Sequence, residues 1–367
     1  MHGKKFLYTE IYEQLRAQIE RGELLPEDRL PSEEALAEAH SVSRITVKKA
    51  LERLKEDGLI HRVQGRGTFV SRAMPAERKP QEARRSRQLI GIVLEHVSSA
   101  FGLNMMYYMI QALDKAGYKT CIRFTFGSTE KESAEIDDLL AMDVAGLIIM
   151  PCHDSHYNLT ILRLILENFP VVLVDKRMHG LPVRSVSTDG REAMRRLTHH
   201  LWERGCKTAA LLTIDPASTS SLGDRAEGFY TGLEETGMNR IDECILPRRS
   251  NEMISNDPEQ RYVEAIGAYL DGLPAIPDGF VCTEYAIARA LYAASAARGL
   301  LPGRDFRACC IDENELATRG AYFTHMRQDE QNLARETVDI LLSLLGGATD
   351  AAQDRRVPAV FHQGETT

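Results

Sequence analysis

The strongest constraint on this chain is an alternation that starts at Leu89 and runs toward the C-terminus. Leu89-Ile90-Gly91-Ile92-Val93-Leu94 is a short, unbroken apolar run, the pattern of a strand buried on both faces. A helical stretch follows from about Leu103 to Ala116 and ends at Gly117. Further strand candidates are Thr120 to Phe124, Gly146 to Met150, Val171 to Val174, Thr208 to Thr213, Gly279 to Cys282 and Arg307 to Ile311. Helices such as Arg191 to Arg204 and Ser221 to Gly237 lie between them. Strict alternation over about 270 residues predicts open parallel sheets with helices on both faces, an α/β class.

Ligands of such sheets bind just beyond the carboxyl ends of the strands, so those positions are where a site is sought. The first strand is followed by Glu95-His96-Val97-Ser98-Ser99-Ala100-Phe101, with no glycine fingerprint for a dinucleotide. A P-loop and a G-x-S-x-G elbow are likewise missing. His153-x-x-His156 is a weak metal signal, and no metal or cofactor is expected. What accumulates at strand ends instead suits a polyol. Asp175 closes one strand, Asp312 closes another, and Arg225 stands near the start of a helix beside Gly228. Carboxylates and a guanidinium hold paired hydroxyls bidentately, and an aromatic ring such as Phe101 can cover a sugar face. Each of these residues singly also suits a helix cap or a surface ion pair; their shared position after strands is what points to a site.

The first 88 residues read differently. Tyr8, Ile11, Tyr12, Leu15 and Ile19 make one stripe of an amphipathic helix that ends near Gly22. Ser32 is placed to cap a short helix reaching about Ala39, with Glu33 and Glu34 in its first turn. Ser43 caps a third helix whose inner stripe is Val47, Ala50, Leu51 and Leu54. Its outer face carries Arg44, Thr46, Lys48, Lys49 and Arg53. Two strands, Leu59 to Val63 and Thr68 to Val70, are joined by Gln64-Gly65-Arg66-Gly67, a wing with Arg66 at its tip. A capped helix, a capped basic helix and a Gly-Arg-Gly hairpin in that order predict a winged helix-turn-helix: arginine can read guanine and lysines can hold phosphates.

Charge supports that division. Up to Gln88 there are 18 Lys and Arg against 14 Asp and Glu, a balance of +4. The rest has 27 against 39, a balance of −12, so the chain's net −8 describes neither part. A basic head on an acidic body is expected to dock on nucleic acid through the head alone. Between them, residues 72–88 hold Pro75, Pro80 and the basic end Arg84-Arg85-Ser86-Arg87 without apolar periodicity, which reads as a tether. Those arginines either add a phosphate contact or keep the tether soluble. Seven cysteines without C-x-x-C spacing suit reduced, buried thiols in a cytosol. No run of about 18 apolar residues predicts a membrane span, and the N-terminus has no secretory pattern.

Two resemblances extend the reading. Leu30-Pro31-Ser32-Glu33, Val42-Ser43-Arg44-x-Thr46-Val47, Glu56-x-Gly58-Leu59-Ile60 and Gly65-Arg66-Gly67-Thr68-Phe69-Val70 resemble the winged helix of GntR-family regulators. That resemblance implies DNA contact by Ser32, Ser43, Arg44, Thr46, Lys48 and the wing residues Gln64, Gly65 and Arg66, with Lys49 a further cation on the same helix. Many members have Arg after the Ser-Glu pair where this chain has Glu34, so their base preference does not transfer. In the body, Val172-Leu173-Val174-Asp175-Lys176-Arg177, Ser187-x-Asp189-Gly190-x-x-Ala193, Leu201-x-x-x-Gly205, Arg225-Ala226-Glu227-Gly228-Phe229, Cys310-Ile311-Asp312-Glu313 and Met326-Arg327-Gln328-Asp329 resemble the effector domain of LacI/GalR-family repressors.

The second resemblance implies a two-lobed periplasmic-binding-protein-like α/β effector domain over residues 89–367, behind a winged helix-turn-helix over 1–71. Lobe one is expected to take 89–188 and 328–350, and lobe two 189–327 and the C-terminal tail. It carries effector contact onto Arg225 and Asp312, and onto Asp175, Gln328, Thr283 and the loop with His96 and Phe101. Cys282-Thr283-Glu284 stands where the family usually has Asn-Asp, and Asp329-Glu330 lacks an aromatic that some members place nearby. The combination is similar to regulators of the arabinose-repressor type. It implies a cytoplasmic homodimer on a palindromic, double-stranded operator, a repressor released by a small sugar such as arabinose or another pentose. A nucleobase or sugar phosphate is the alternative effector, and an enzyme fused to a DNA-binding head is the rival class.

Overall fold

The computed structural model describes residues 7–21, 23–40, 42–63, 67–71, 88–152, 158–178, 180–247, 260–312, 322–348 and 354–367. The chain divides into two compact units, 1–83 and 84–367. The tether 72–87, the wing tip Gln64-Gly65-Arg66 and the His153-x-x-His156 pair lie outside the described residues.

In the first unit, α1 (Leu7–Glu20), α2 (Glu33–Ala39) and α3 (Arg44–Glu56) precede a hairpin of β1 (Ile60–Val63) and β2 (Gly67–Val70). One apolar cluster holds them: Ile11, Leu15 and Ile19 of α1 meet Leu36 of α2 and Val47, Ala50 and Leu54 of α3. These are the stripes at helical spacing, and burying them is what turns three short helices into one body. After α3, Gly58 takes a positive φ of 69°, a left-handed geometry that turns the chain into β1. Sequence periodicity did not announce the segment before α2, which pairs with the wing: Leu30 N–H donates to Thr68 O at 2.9 Å, and Val70 N–H donates to Asp28 O at 2.9 Å.

The second unit is built on thirteen described strands. They are β3 (Leu89–Leu94), β4 (Lys119–Phe124), β5 (Gly146–Ile149), β6 (Val171–Val174), β7 (Arg184–Thr188), β8 (Thr208–Ile214), β9 (Asn239–Arg240), β10 (Cys244–Leu246), β11 (Gly279–Cys282), β12 (Arg307–Ile311), β13 (Thr324–Arg327), β14 (Asp354–Val357) and β15 (Val360–His362). One sheet runs β14-β7-β6-β5-β3-β4 and is parallel throughout. The other runs β10-β8-β11-β12-β13-β15, with β9 beside β8. Central strands such as β5, β6 and β11 are buried at every position, which is why they read as unbroken apolar runs.

The chain passes between the sheets three times: after β7, after β13 and from β14 to β15. The third passage alters the expected lobe assignment. β14 joins the first sheet beside β7, and only β15 and the residues after it join the second, so the tail is shared between the lobes. The tail crosses in two residues, Pro358 and Ala359, without a crossover helix. β15 pairs antiparallel with β13.

Helix Gly190–Glu203 and helix Ser220–Thr236 pack closely on the second sheet, and glycines set their separation. A Cβ on Gly228 would lie 2.1 Å from the Arg191 carbonyl oxygen, a backbone atom that cannot rotate away. Gly190 leaves room for the Arg225 side chain, whose Cγ would lie 3.2 Å from a Cβ there. The Gly228→Ala change therefore pushes two helices apart, and an overpacked core typically costs about 1–3 kcal/mol, more than the roughly 1 kcal/mol gained in helix propensity. A lower urea midpoint for Gly228→Ala is expected; an unchanged or higher midpoint contradicts this packing.

Candidate functional site

In the first unit the candidate DNA-contacting residues sit at two helix N-termini. Ser32 Oγ accepts from Ala35 N–H at 3.1 Å and Ser43 Oγ from Thr46 N–H at 3.2 Å, the capping bonds that fix where α2 and α3 begin. Ser43 Oγ also lies 2.8 Å from Thr46 Oγ1. Ser43, Arg44, Lys48 and Lys49 are exposed. Arg53 is exposed too, and its guanidinium lies over the Tyr12 ring, 4.8 Å from the centroid, and so braces α3 against α1.

Two features of this face were not foreseen. Arg44 is ion-paired with Glu34, the residue that replaces the family's usual arginine. Both side chains are more than 60% exposed, so the pair contributes less than about 1 kcal/mol, whereas a bidentate arginine-guanine contact discriminates by about 1–3 kcal/mol. A pair that weak leaves Arg44 available to another partner. The second feature is Ile45, which is 78% exposed between Arg44 and Thr46. An apolar side chain off the buried stripe of a basic helix is the available signal, and it matches a thymine methyl in shape and polarity.

In the second unit, the ends of both sheets come together around Arg225. Asp312 follows β12 at a positive φ of 62° and is buried. Its Oδ1 accepts from Gln328 N–H at 3.0 Å and its Oδ2 from Gln328 Nε2 at 2.7 Å. Gln328 Oε1 in turn accepts from Thr188 Oγ1 at 2.6 Å, so this chain of bonds joins the end of β12 to two of the passages between sheets. Burial pushes the Asp312 carboxyl up to about 7, against the pull of Gln328 and Arg225. Asp175 follows β6, also at a positive φ, of 70°; burial raises its carboxyl while Lys176, Arg225 and His96 favour its charge. Arg225 is thus the shared cation of a carboxylate from each sheet.

The remaining candidates are placed less directly. Arg225 Nη1 donates to the Thr283 carbonyl oxygen at 2.9 Å. The Thr283 hydroxyl is buried against β8, 3.5 Å from Leu212 O and 3.2 Å from Thr213 Oγ1, so this residue faces Arg225 through its backbone. Phe101 packs partly into the core of the first sheet and His96 is exposed. Among the described residues no group of three or more His, Cys, Asp and Glu is arranged to hold a metal ion.

Sequence reasoning missed the cations beside Asp175. Lys176 is buried, ion-paired with Glu95, and donates to Pro151 O at 2.9 Å and Cys152 O at 3.4 Å. Burial opposes its charge, yet Glu95 and Asp175 outweigh that and hold the ammonium above the ordinary lysine range. Arg177 donates to both carboxylate oxygens of Asp224, at 2.9 and 2.8 Å, and its backbone N–H donates to Ser220 Oγ at 2.8 Å. Arg356 Nη1 reaches Asp224 Oδ2 at 2.6 Å. Asp224 therefore ties the second sheet's helix to the segment after β6 and to β14. Adjacent Asp-Lys-Arg residues after an apolar strand were the only signal, and they do not reveal partners remote in sequence.

Comparison with known proteins agrees with both halves of this geometry. Residues 7–70 match the family of bacterial regulatory proteins called gntR, and residues 198–367 match the periplasmic binding protein-like domain. The chain is accordingly a transcription regulator in which a GntR-type helix-turn-helix domain is joined to a LacI-like, periplasmic-binding-protein-type α/β domain. It is 22% identical over 353 residues to the arabinose metabolism transcriptional repressor of Geobacillus stearothermophilus, covering 92% of this chain and 91% of that one. Its head is 52% identical over 66 residues to the repressor NagR of Bacillus subtilis, which is 18% of this chain and 27% of that one. Among solved structures, the fold is similar to a dimeric Lac repressor, with a TM-score of 0.63 and 20% identity over 76% of this chain and 98% of that one. It is also similar to the Cra regulator of Pseudomonas putida in complex with fructose 1-phosphate, with a TM-score of 0.61 and 19% identity over 75% and 98%.

The raised carboxyl of Asp312 has a measurable consequence. Its folded value lies above the unfolded one, so the folded chain holds this proton more tightly, and the group's contribution to stability falls as pH rises from about 4 to about 7. Asp312→Asn removes that slope. The urea midpoint of Asp312→Asn is expected to gain on the parent chain's between about pH 5 and about pH 8. A difference that stays constant over that range would place the titration elsewhere.

Proposed function

We propose that this chain is a cytoplasmic, homodimeric repressor that binds a palindromic operator through its winged helix-turn-helix and lets go when a small, neutral sugar enters between the two sheets. The observation that carries the effector reading is the convergence of Asp175, Asp312 and Arg225, with Gln328 bound to Asp312. Two carboxylates and a guanidinium from both sheets supply the paired acceptors and donors that adjacent hydroxyls need. The relatives named for arabinose metabolism support a pentose. Among the described residues no helix is long and apolar enough to cross a membrane, in keeping with a soluble regulator.

The cations support a neutral ligand over a sugar phosphate in this cleft. A lysine ammonium has three protons, and those of Lys176 have three acceptors in Glu95, Pro151 and Cys152. Arg177 is held through its Nη2 against both carboxylate oxygens of Asp224. Catalysis is not part of the proposal: Cys152, beside Lys176, is pushed up to about 12 chiefly by burial, and a thiol so held is a poor nucleophile.

On the DNA side, Arg44 and Thr46 are assigned to base edges, Ile45 to a thymine methyl, and Ser32, Ser43, Lys48, Lys49 and the wing residues Gln64, Gly65 and Arg66 to the duplex backbone and groove. Two substitutions separate the parts. Arg44→Ala is expected to weaken operator binding by about 1–3 kcal/mol and leave sugar binding unchanged. Arg225→Ala is expected to keep operator binding and abolish release by sugar. Gel-shift titrations against an operator selected from genomic fragments, with and without a panel of pentoses, read both effects. Full inducibility of Arg225→Ala would contradict the cleft assignment, and undiminished operator binding by Arg44→Ala the assignment of the recognition helix.

A further inference from the structure

A second concavity lies beside the second and third passages between the sheets, and none of the cleft residues lines it. It has a volume of about 310 Å³ and is walled by Arg335, Arg355, Arg356 and Asn332, with Glu336 on one side and Val357-Pro358 along its edge. Three guanidinium groups against one carboxylate leave a local excess of two positive charges, in a body whose overall balance is −12. Glu336 is shared: one oxygen meets Arg335 at 3.0 Å and the other is paired with Arg355. Each guanidinium has five donors, so both keep N–H groups for another oxyanion. Arg335 and Arg355 are 61% and 44% exposed, which leaves those groups within reach of a solute.

The position matters as much as the charge. Val357-Pro358 is the third passage between the sheets, and the Val357 carbonyl oxygen accepts from Asp189 N–H, at the first passage, at 2.9 Å. Asn332 and Arg335 lie in the first turns of helix Glu330–Gly346, directly after the second passage at Gln328. Arg356 lines the concavity and also holds Asp224, the carboxylate that ties the two sheets together. We propose that this hinge concavity is a second ligand site, one that takes a dianionic phosphoryl group and through it biases the movement of the two lobes.

Tetrahedral and planar oxyanions match the arginine fork bidentately, whereas a neutral sugar leaves the positive excess unpaired. A bound phosphoryl group competes with Glu336 for Arg335 and Arg355 and with Asp224 for Arg356. Its seat joins the helix after the second passage to the third passage, which is bonded to the first through Val357 and Asp189, so it stabilises one spacing of the sheets over others. The phosphoryl group can come from inorganic phosphate or from a phosphorylated sugar; both present the same chemistry to these arginines.

The test uses the full chain, with inorganic phosphate and, in a second arm, a hexose phosphate, titrated by calorimetry against chloride at matched ionic strength. Saturable binding is expected, weakened at least about ten-fold by Arg335→Gln with Arg355→Gln and strengthened by Glu336→Gln, which removes the internal competitor. Arg225→Ala, in the sugar cleft, is expected to leave it unchanged. Tighter binding of the hexose phosphate assigns the site to an organic phosphate, and equal binding to the free anion. Phosphate is also expected to slow hydrogen exchange at the Asp189 amide. Binding that is no stronger than the chloride control, or that the arginine and Glu336 variants do not shift in opposite directions, overturns the site. Specific binding without any change at Asp189 overturns its role at the hinge.

Discussion

The carboxylate of Asp312 makes two bonds to Gln328, and Gln328 passes a third to Thr188. That short run of hydrogen bonds, together with Asp224 and its two arginines, ties the two sheets to one another. Each sheet has its own core and could in principle stand alone; what makes them a ligand-responsive pair is that polar residues at the passages between them are buried and mutually satisfied. A buried carboxylate without partners would cost several kcal/mol, so the geometry around Asp312 is strongly specified. Burial raises that carboxyl to about 7, against the pull of Gln328 and Arg225.

Around that centre the molecule separates tasks by chemistry. Apolar strands, buried at every position, supply rigidity. The residues just beyond their carboxyl ends carry the charge: Asp175, Lys176 and Arg177 after β6, Asp312 after β12, Arg225 on a helix brought close by Gly190 and Gly228. Lys176 and Arg177 are neutralised by Glu95 and Asp224, while Arg225 faces two carboxylates. In the head, α3 is fixed by apolar contacts on one side and offers Arg44, Ile45, Lys48 and Lys49 on the other.

Much of this was legible in the order of residues. Strands buried on both faces cannot alternate polar and apolar side chains, so β3, β5, β6, β8, β11 and β12 stood out as apolar runs, and capping serines marked the starts of α2 and α3. Strands of mixed character were not visible: β14 reads Asp-Arg-Arg-Val at the sheet edge, and the inner strand β7 reads Arg-Ser-Val-Ser-Thr because Ser185 and Thr188 are buried against remote partners, Asp354 and Gln328. Sharing of the C-terminal tail between the lobes follows from that blind spot. For the site, single residues were legible and partnerships were not. Asp312 and Arg225 were named from position, but the turn of the Thr283 hydroxyl toward β8, the Glu95–Lys176 pair and the Arg44–Glu34 pair depend on residues distant in sequence meeting in space. Arg53 lies on the exposed side of α3 as its spacing implied, but spacing alone does not reveal the Tyr12 ring beneath its guanidinium.

The central claim is that a sugar seated between the sheets works through the residues at their passages. Amide hydrogen exchange of the full chain, with and without a pentose that binds it, tests this most directly. The amides of Asp175, Asp312 and Gln328 donate to Val186 O, Met326 O and Asp312 Oδ1, so a ligand closing the two sheets on one another must slow their exchange. The account predicts added protection at these three positions. Ligand-induced protection elsewhere in the body, with these three amides unchanged, would contradict it.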